Sequence, residues 1–265
     1  MNSPYKPGTP CWIDLMAPDQ QAALDFYCGL FGWQGEVGPP EQGGYAVCTL
    51  KGKAVAGIMK AMNPDGTVPD PMPPTEWTTY LSTDAVDSTL ESVTDAGGTV
   101  LVGPMDVMDL GRMAVATDPA GAVFGLWQPG TFDGAGIVNE HGALIWSELT
   151  TPDLAAASAF YSAVLPVTTA RSEMEGAEGY VEFQVAGRAV GGMMDMSKLP
   201  PGASPHWQPY FAVDNVDDIQ AAAVRAGATV LAPAFDMVAG RMAILADPQG
   251  GSFSVLTPAM QEGSA

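Results

Sequence analysis

Positive charge is scarce in this chain. Ten Lys and Arg residues stand against 30 Asp and Glu, a formal net charge of −20. The basic residues are scattered singly and form no stripe. A phosphate backbone or an anionic membrane surface would be repelled, so neither nucleic acid nor membrane is an expected partner. Histidine is scarcer still, with only His141 and His206. That leaves almost no room for histidine-based acid–base chemistry, and no Ser-His-Asp or Cys-His set can be assembled. The three cysteines, Cys11, Cys28 and Cys48, are widely spaced and contain no CxxC. They argue against a disulfide framework or a structural zinc site, and for small buried apolar side chains. No apolar run approaches the roughly 18–20 residues that cross a bilayer. No apolar stretch follows the early Lys6 as a secretory signal would require, so a soluble, cytoplasmic protein is expected.

What is present is repetition. GRMAVATDPAGAVFGLWQPG (111–130) returns as GRMAILADPQGGSFSVLTPA (240–259). Upstream, WTTYLSTDAVDSTLESVTDAGGTVLVGPMD (77–106) matches WQPYFAVDNVDDIQAAAVRAGATVLAPAFD (207–236). The offset is 130 residues in the second pair and 129 in the first, so one residue slips in the loop around Asp109. Loops tolerate such a slip and strands do not. CWIDLMAPDQQAALDFYCGLFGW likewise faces IWSELTTPDLAAASAFYSAVLPV. Two domains follow, at 8–128 and 143–258. The Gly-rich, polar segment 129–142 is the expected linker, with Ile137 and Val138 able to lie against a domain.

Periodicity changes in the same order within each copy. CWIDLM alternates as a strand. In the next segment Ala22, Ala23, Phe26, Tyr27, Leu30 and Phe31 recur at helical spacing, with Asp19 as a cap. In the second copy Thr151 before Pro152 predicts a cap and first-turn residue. Hairpins are expected around Lys51-Gly52 and Ala186-Gly187. A strand, a glycine-ended helix and three more strands complete each copy. DPAG and DPQG predict turns: Asp bonds its own downstream backbone, Pro fixes φ, and Gly takes a left-handed position. The element predicted is βαβββ, used four times. The second strand after each first helix is the least defined. The glycines follow turn chemistry, because no GxGxxG or GxxxxGK stands after a strand in the proper place.

The order and spacing of these marks resemble the vicinal oxygen chelate family, also called the glyoxalase/bleomycin-resistance/extradiol-dioxygenase family. They are Asp19 and Phe26-Tyr27, then Trp77 to Asp84, then Asp118-Pro119-x-Gly121, and they recur up to Asp247-Pro248-x-Gly250. The likeness covers most of the chain and is greatest to tandem actinobacterial glyoxalase-like members. It implies an α+β fold of paired βαβββ modules, whose curved mixed sheets form open cups around a pocket. Many members hold a divalent metal there. The family's first-strand ligand falls on Trp12 and Trp146, the ligand opening the second module on Thr78 and Gln208, and the final glutamate on Gly125 and Ser254. Indole carries only a donor N–H, glycine has no side chain, and neutral oxygens cannot replace the missing charge. Neither a metal nor another cofactor is therefore expected.

Alternation places Trp12 and Asp14 on one strand face and Trp146 and Glu148 on another, and by family position this is the pocket side. An indole gives broad apolar surface, and the acid accepts a donor or neutralises a cation. Tyr80 and Tyr210 stand two residues beyond Thr78 and Gln208. Converging aromatics suit a flat or hydrophobic ligand. Against this, the two tryptophans could plug the cups and the two acids could be rim charges. Arg112 and Arg241 either pair structurally with an acid or bind an anionic group, and His206 is an ordinary polar residue or a pocket residue. Asp14 and Glu148 are the candidate catalytic bases if burial raises their pKa. The leading expectation is metal-independent binding of a hydrophobic or aromatic small molecule, for resistance to a secondary metabolite or for its biosynthesis. The alternatives are a lyase, isomerase or oxygenase-like enzyme, with or without an atypically bound divalent metal, or a structural or interaction protein with filled cups. The internal symmetry is compatible with a homodimer.

Overall fold

The computed structural model describes residues 3–40, 43–63, 66–198 and 203–259. The fold is α+β, with four α-helices and fifteen strands among these residues. The first module is β1 (Pro10–Ala17), α1 (Gln20–Phe31), β2 (Ala46–Leu50) and β3 (Lys53–Lys60). The second is β4 (Glu76–Ser82), α2 (Val86–Asp95), β5 (Thr99–Val107), β6 (Gly111–Thr117) and β7 (Val123–Pro129). The third is β8 (Leu144–Thr151), α3 (Leu154–Val164), β9 (Thr168–Arg171), β10 (Val181–Val185) and β11 (Arg188–Asp195). The fourth is β12 (His206–Ala212), α4 (Val216–Arg225), β13 (Thr229–Met237), β14 (Gly240–Ala246) and β15 (Ser252–Pro258). Among the described residues no helix is long and apolar enough to cross a membrane.

The expected βαβββ pattern is complete in three modules. In the first, the strand after α1 shrinks to a single bridge between Gln34 and Thr49. Gly38-Pro39-Pro40 follows, and proline has no N–H to extend a ladder. The strands hydrogen-bond in two series, β2-β3-β1-β4-β7-β6-β5 and β13-β14-β15-β12-β8-β11-β10-β9, so each sequence copy builds its own mixed sheet.

Compactness divides the chain differently from the copies. One unit comprises the N-terminal residues through Trp12, Thr78–Gly134 and Trp146–Gln208. The other comprises Ile13–Trp77, Ala135–Ile145 and the residues from Pro209 onward. In the first unit α2 packs with α3 over a core containing Phe124, Phe160, Tyr161, Phe183 and Trp207. In the second, α1 packs with α4 over Phe26, Tyr27, Phe31, Trp33, Trp77, Phe211 and Phe253. Each unit thus joins a module from one copy to a module from the other.

The same buried chain of hydrogen bonds holds each unit. Trp77 Nε1 donates to Tyr27 Oη at 3.2 Å, and Tyr27 donates to Asp247 Oδ2 at 2.9 Å. Trp207 Nε1 donates to Tyr161 Oη at 2.9 Å, and Tyr161 donates to Asp118 Oδ2 at 3.3 Å. The other oxygen of each acid closes its turn: Asp118 Oδ1 accepts from Ala120 and Ala122, and Asp247 Oδ1 accepts from Gln249 and Gly251. Burial, then the neighbouring carboxylate, push both phenols well above the ordinary tyrosine range. The marks that repeat in the sequence are therefore locks of the fold.

Local expectations held at most turns. Lys51-Gly52 and Ala186-Gly187 all have positive φ, as a two-residue hairpin of right-handed twist requires. The slipped residue lies in Met108–Leu110, which links β5 to β6, where only Val238 and Ala239 link β13 to β14. One expectation is corrected. Thr151 belongs to β8, and α3 is capped by Asp153, whose Oδ1 accepts from Ala155 and Ala156 at 2.9 Å. A carboxylate two residues closer to the helix reaches two free N–H groups at once. Asp19 caps α1 through one such bond, its Oδ1 accepting from Ala22 at 3.0 Å.

Candidate functional site

The positions where the resemblance places metal ligands are occupied by aromatic surface and neutral oxygens. In the first unit Trp12 is buried, and the ring of Phe132 meets it edge-on at 5.0 Å between centroids. Phe132 comes from the segment expected as a linker and also accepts a hydrogen bond from Trp127 Nε1. Thr78 is half-buried on β4. Two residues on, Tyr80 pairs in register with Gly125 of β7. A Cβ on Gly125 would lie 2.1 Å from Tyr80 Cδ1, so the tyrosine ring fills the room of the family's glutamate. Trp146, half-buried, and Gln208, buried, belong to the same unit. In the second unit Tyr210 pairs in register with Ser254, and both are buried. Only neutral hydroxyl and amide oxygens stand at these six positions. This donor set does not fit zinc, iron or manganese, which are fixed by carboxylate, thiolate or imidazole ligands. Among the described residues no three His, Cys, Asp or Glu gather as a metal cluster.

The candidate bases Asp14 and Glu148 are buried, 4% and 7% exposed, and are not rim charges. Each lies in register beside a glycine of the adjacent parallel strand: Asp14 beside Gly57, and Glu148 beside Gly192. Each also meets a tyrosine that the sequence reading did not single out. In the second unit Tyr45 donates to Asp14 Oδ2 at 3.0 Å, and a Cβ on Gly57 would lie 1.8 Å from its hydroxyl. In the first unit Tyr180 is hydrogen-bonded to Glu148, and a Cβ on Gly192 would lie 2.1 Å from its hydroxyl. Trp146 Nε1 donates to the same hydroxyl at 2.8 Å. Burial, then the charge of Glu148, raise the Tyr180 phenol far above its ordinary range, so it stays protonated. The signal was present: both tyrosines follow a glycine, stand just before matching strands, and face the glycines of AVAGIM and AVGGMM.

In the first unit this face extends along β10. Glu182 and Gln184 share the parity of Tyr180, whereas Phe183 points into the core. Glu182 and Gln184, with Ala170, Arg171, Glu173 and Met174, line an open cleft of about 330 Å³.

The remaining candidates lie elsewhere. Arg112 donates to both oxygens of Asp87 and to Asp106, at 2.7–3.0 Å. Arg241 repeats this with Asp217 and Asp236. His206, half-exposed at the start of β12, lies 2.8 Å from the Ser204 carbonyl through Nδ1. His141 Nδ1 accepts from the Asp214 backbone N–H. All three cysteines are free thiols. Burial, then Cys28, push Cys48 up to about 12, and burial raises Cys11 further.

Known proteins share this architecture and sequence. Residues 11–126 match the Glyoxalase/Bleomycin resistance protein/Dioxygenase superfamily, and residues 146–256 match the Glyoxalase-like domain. CFP32 of Mycobacterium tuberculosis (strain CDC 1551 / Oshkosh), which carries a provisional glyoxylase name, is 45% identical over 265 residues, 98% of each chain. The anthracycline biosynthesis protein DnrV of Streptomyces peucetius is 38% identical over 260 residues, 95% of this chain and 94% of its own. Among solved structures, the Mn(II)-bound glyoxalase from Novosphingobium aromaticivorans superposes with a TM-score of 0.63 at 15% identity. That match covers 98% of this chain and 86% of that one. The 2,3-dioxygenase LapB from Pseudomonas sp. KL28 gives 0.60 at 14%, covering 98% and 96%. At such identities the structural likeness speaks for the fold alone. Sequence and architecture agree that this chain belongs to the glyoxalase/bleomycin resistance protein/dioxygenase superfamily.

Proposed function

We propose that this protein binds a hydrophobic or aromatic small molecule without a divalent metal, in the handling of a secondary metabolite. The observation that carries the reading is the Tyr80 ring on Gly125, where relatives of this fold would place a carboxylate. Trp146 and Tyr180 supply aromatic surface, and the open cleft along Glu182 and Gln184 is lined mainly by polar and charged side chains; apolar rings with polar groups beside them suit a small molecule. The name of DnrV adds support for a secondary-metabolite ligand. The test is elemental analysis after chelation, followed by titration with Nile red, a neutral aromatic dye. Saturable dye binding by metal-free protein is expected. A stoichiometric divalent ion that survives chelation, or no dye binding, would overturn the reading.

A second reading has one observation in its favour. Asp14 and Glu148 are buried carboxylates, each hydrogen-bonded to a phenol, an arrangement able to hold or pass a proton. If the protein turns over a ligand, these are its candidate acid–base groups. A pH–rate profile unchanged in Asp14→Asn and Glu148→Gln would remove that role.

A further inference from the structure

We propose that Tyr180 holds the place of a ligand ring, and that the site beside Glu148 takes a hydroxylated aromatic molecule once this side chain swings aside. The inference rests on the binding function proposed above and names the ligand chemistry of that site.

Two of the chain's three repeated pairs of tyrosines differ in their setting. Tyr27 and Tyr161 are fully buried, on helices, and locked between an indole and a turn carboxylate. Tyr45 and Tyr180 are half-buried and stand where a loop enters a strand. Gly44 and Gly179 precede them at φ of 71° and 82°, a left-handed backbone that glycine adopts without strain. Glycine also forms the floor under each hydroxyl, at Gly57 and Gly192.

What Tyr180 occupies is a complete recognition site for a phenol. Gly192 gives the flat floor, Glu148 accepts the O–H, and Trp146 Nε1 donates to the oxygen. A buried carboxylate and a buried indole N–H that each lose a partner carry a cost, which favours filling the place with the protein's own phenol or with another. Beyond it, the cleft along Glu182 and Gln184 provides room for a displaced side chain or for the rest of a larger ligand.

The experiment compares 2-naphthol with its methyl ether by tryptophan quenching, in the full chain. Tyr180→Ala is expected to bind 2-naphthol about tenfold tighter than the wild type and to prefer it over the ether. Adding Glu148→Gln should erase that preference. Tyr180→Phe keeps the ring and removes the anchor, so a smaller tightening of about threefold is expected. That variant decides the matter if Tyr180→Ala does not fold. No tightening in the folded variants, or equal binding of naphthol and ether, would overturn the proposal. Nile red separates the two claims: dye binding with no naphthol preference sinks this inference alone, and loss of both sinks the binding function too.

Discussion

The ring of Tyr80 lies where a side chain on Gly125 would grow, 2.1 Å from the place of its first carbon. Restoring the family's carboxylate by Gly125→Glu therefore cannot restore a metal site without first expelling Tyr80. Even Gly125→Ala should overpack β4 against β7, at about 1–3 kcal/mol. The expected result is a lower urea midpoint for Gly125→Ala. For Gly125→Glu, no gain in Mn(II) or Zn(II) binding is expected by titration calorimetry. A glutamate variant that binds either ion tightly would show that the ring is a weak obstacle.

Tyr27→Phe and Tyr161→Phe should be costly although each removes only one oxygen. Tyr27→Phe takes the acceptor from Trp77 Nε1 and the donor from Asp247 Oδ2 in a fully buried place. About 1–3 kcal/mol is expected for each group left without a partner. The same arithmetic applies to Trp207 and Asp118 around Tyr161. Chemical denaturation of both variants checks this, and a loss in only one of them would break the equivalence of the two locks.

Asp118 gives a pH-dependent version of the same lock. Burial raises its carboxyl above the ordinary value of 3.8, outweighing the hydrogen bonds from Ala122, Ala120 and Tyr161 that favour the ion. The folded state thus keeps this proton to higher pH than the unfolded state does. Its contribution to stability is complete below the unfolded pKa and declines as pH rises through the folded one. Asp118→Asn removes the titration. The stability difference between variant and wild type should therefore shift in the variant's favour as pH rises from the acid range toward neutrality. Urea midpoints across that range measure it, and a difference independent of pH would contradict the assignment.

Much of the fold was legible because repetition singled out residues with local work to do. The DPxG turns, the Asp19 cap and the Lys51-Gly52 hairpin follow from the backbone needs of a few adjacent residues. The partner of Tyr27 was not legible, since Asp247 is 220 positions away and no local pattern points to it. The division into compact units was hidden for the same reason: which helix packs with which is a property of surfaces, not of spacing. At the site, counting the family's ligand positions found Trp12, Thr78 and Gly125 but passed over Tyr45 and Tyr180. Those two stand directly before the matching strands β2 and β10, but neither falls on a ligand position of the family, so a count confined to ligand positions does not reach them.

Arg112 and Arg241 were candidates for an anionic ligand, and their geometry leads to a different expectation. Each holds two aspartates on exposed surface, and the carboxyls of Asp87 and Asp217 are lowered chiefly by these hydrogen bonds. Exposed pairs contribute little and are screened by salt. Arg112→Ala and Arg241→Ala should leave Nile red affinity unchanged and lower the melting temperature slightly, less so at high salt. A variant that loses dye binding would return the arginine to the site.

The glycines beneath the two half-buried tyrosines allow a comparison between the copies. At Gly57 an added methyl would meet the Tyr45 ring as well as its hydroxyl, and lie 2.9 Å from Asp14 Cβ as well. At Gly192 the three nearest atoms all belong to Tyr180, so the collision is with that one side chain. A tyrosine able to turn on Gly179 can relieve the second clash by leaving its seat, whereas the first also presses on the backbone-anchored stem of Asp14. Gly57→Ala should therefore lose more stability than Gly192→Ala. Gly192→Ala should instead alter the fluorescence of Trp146, whose N–H bonds the displaced hydroxyl. Denaturation midpoints and tryptophan emission of the two variants make the comparison. Equal losses of stability with unchanged Trp146 emission would mean that Tyr180 is as fixed as the strands around it.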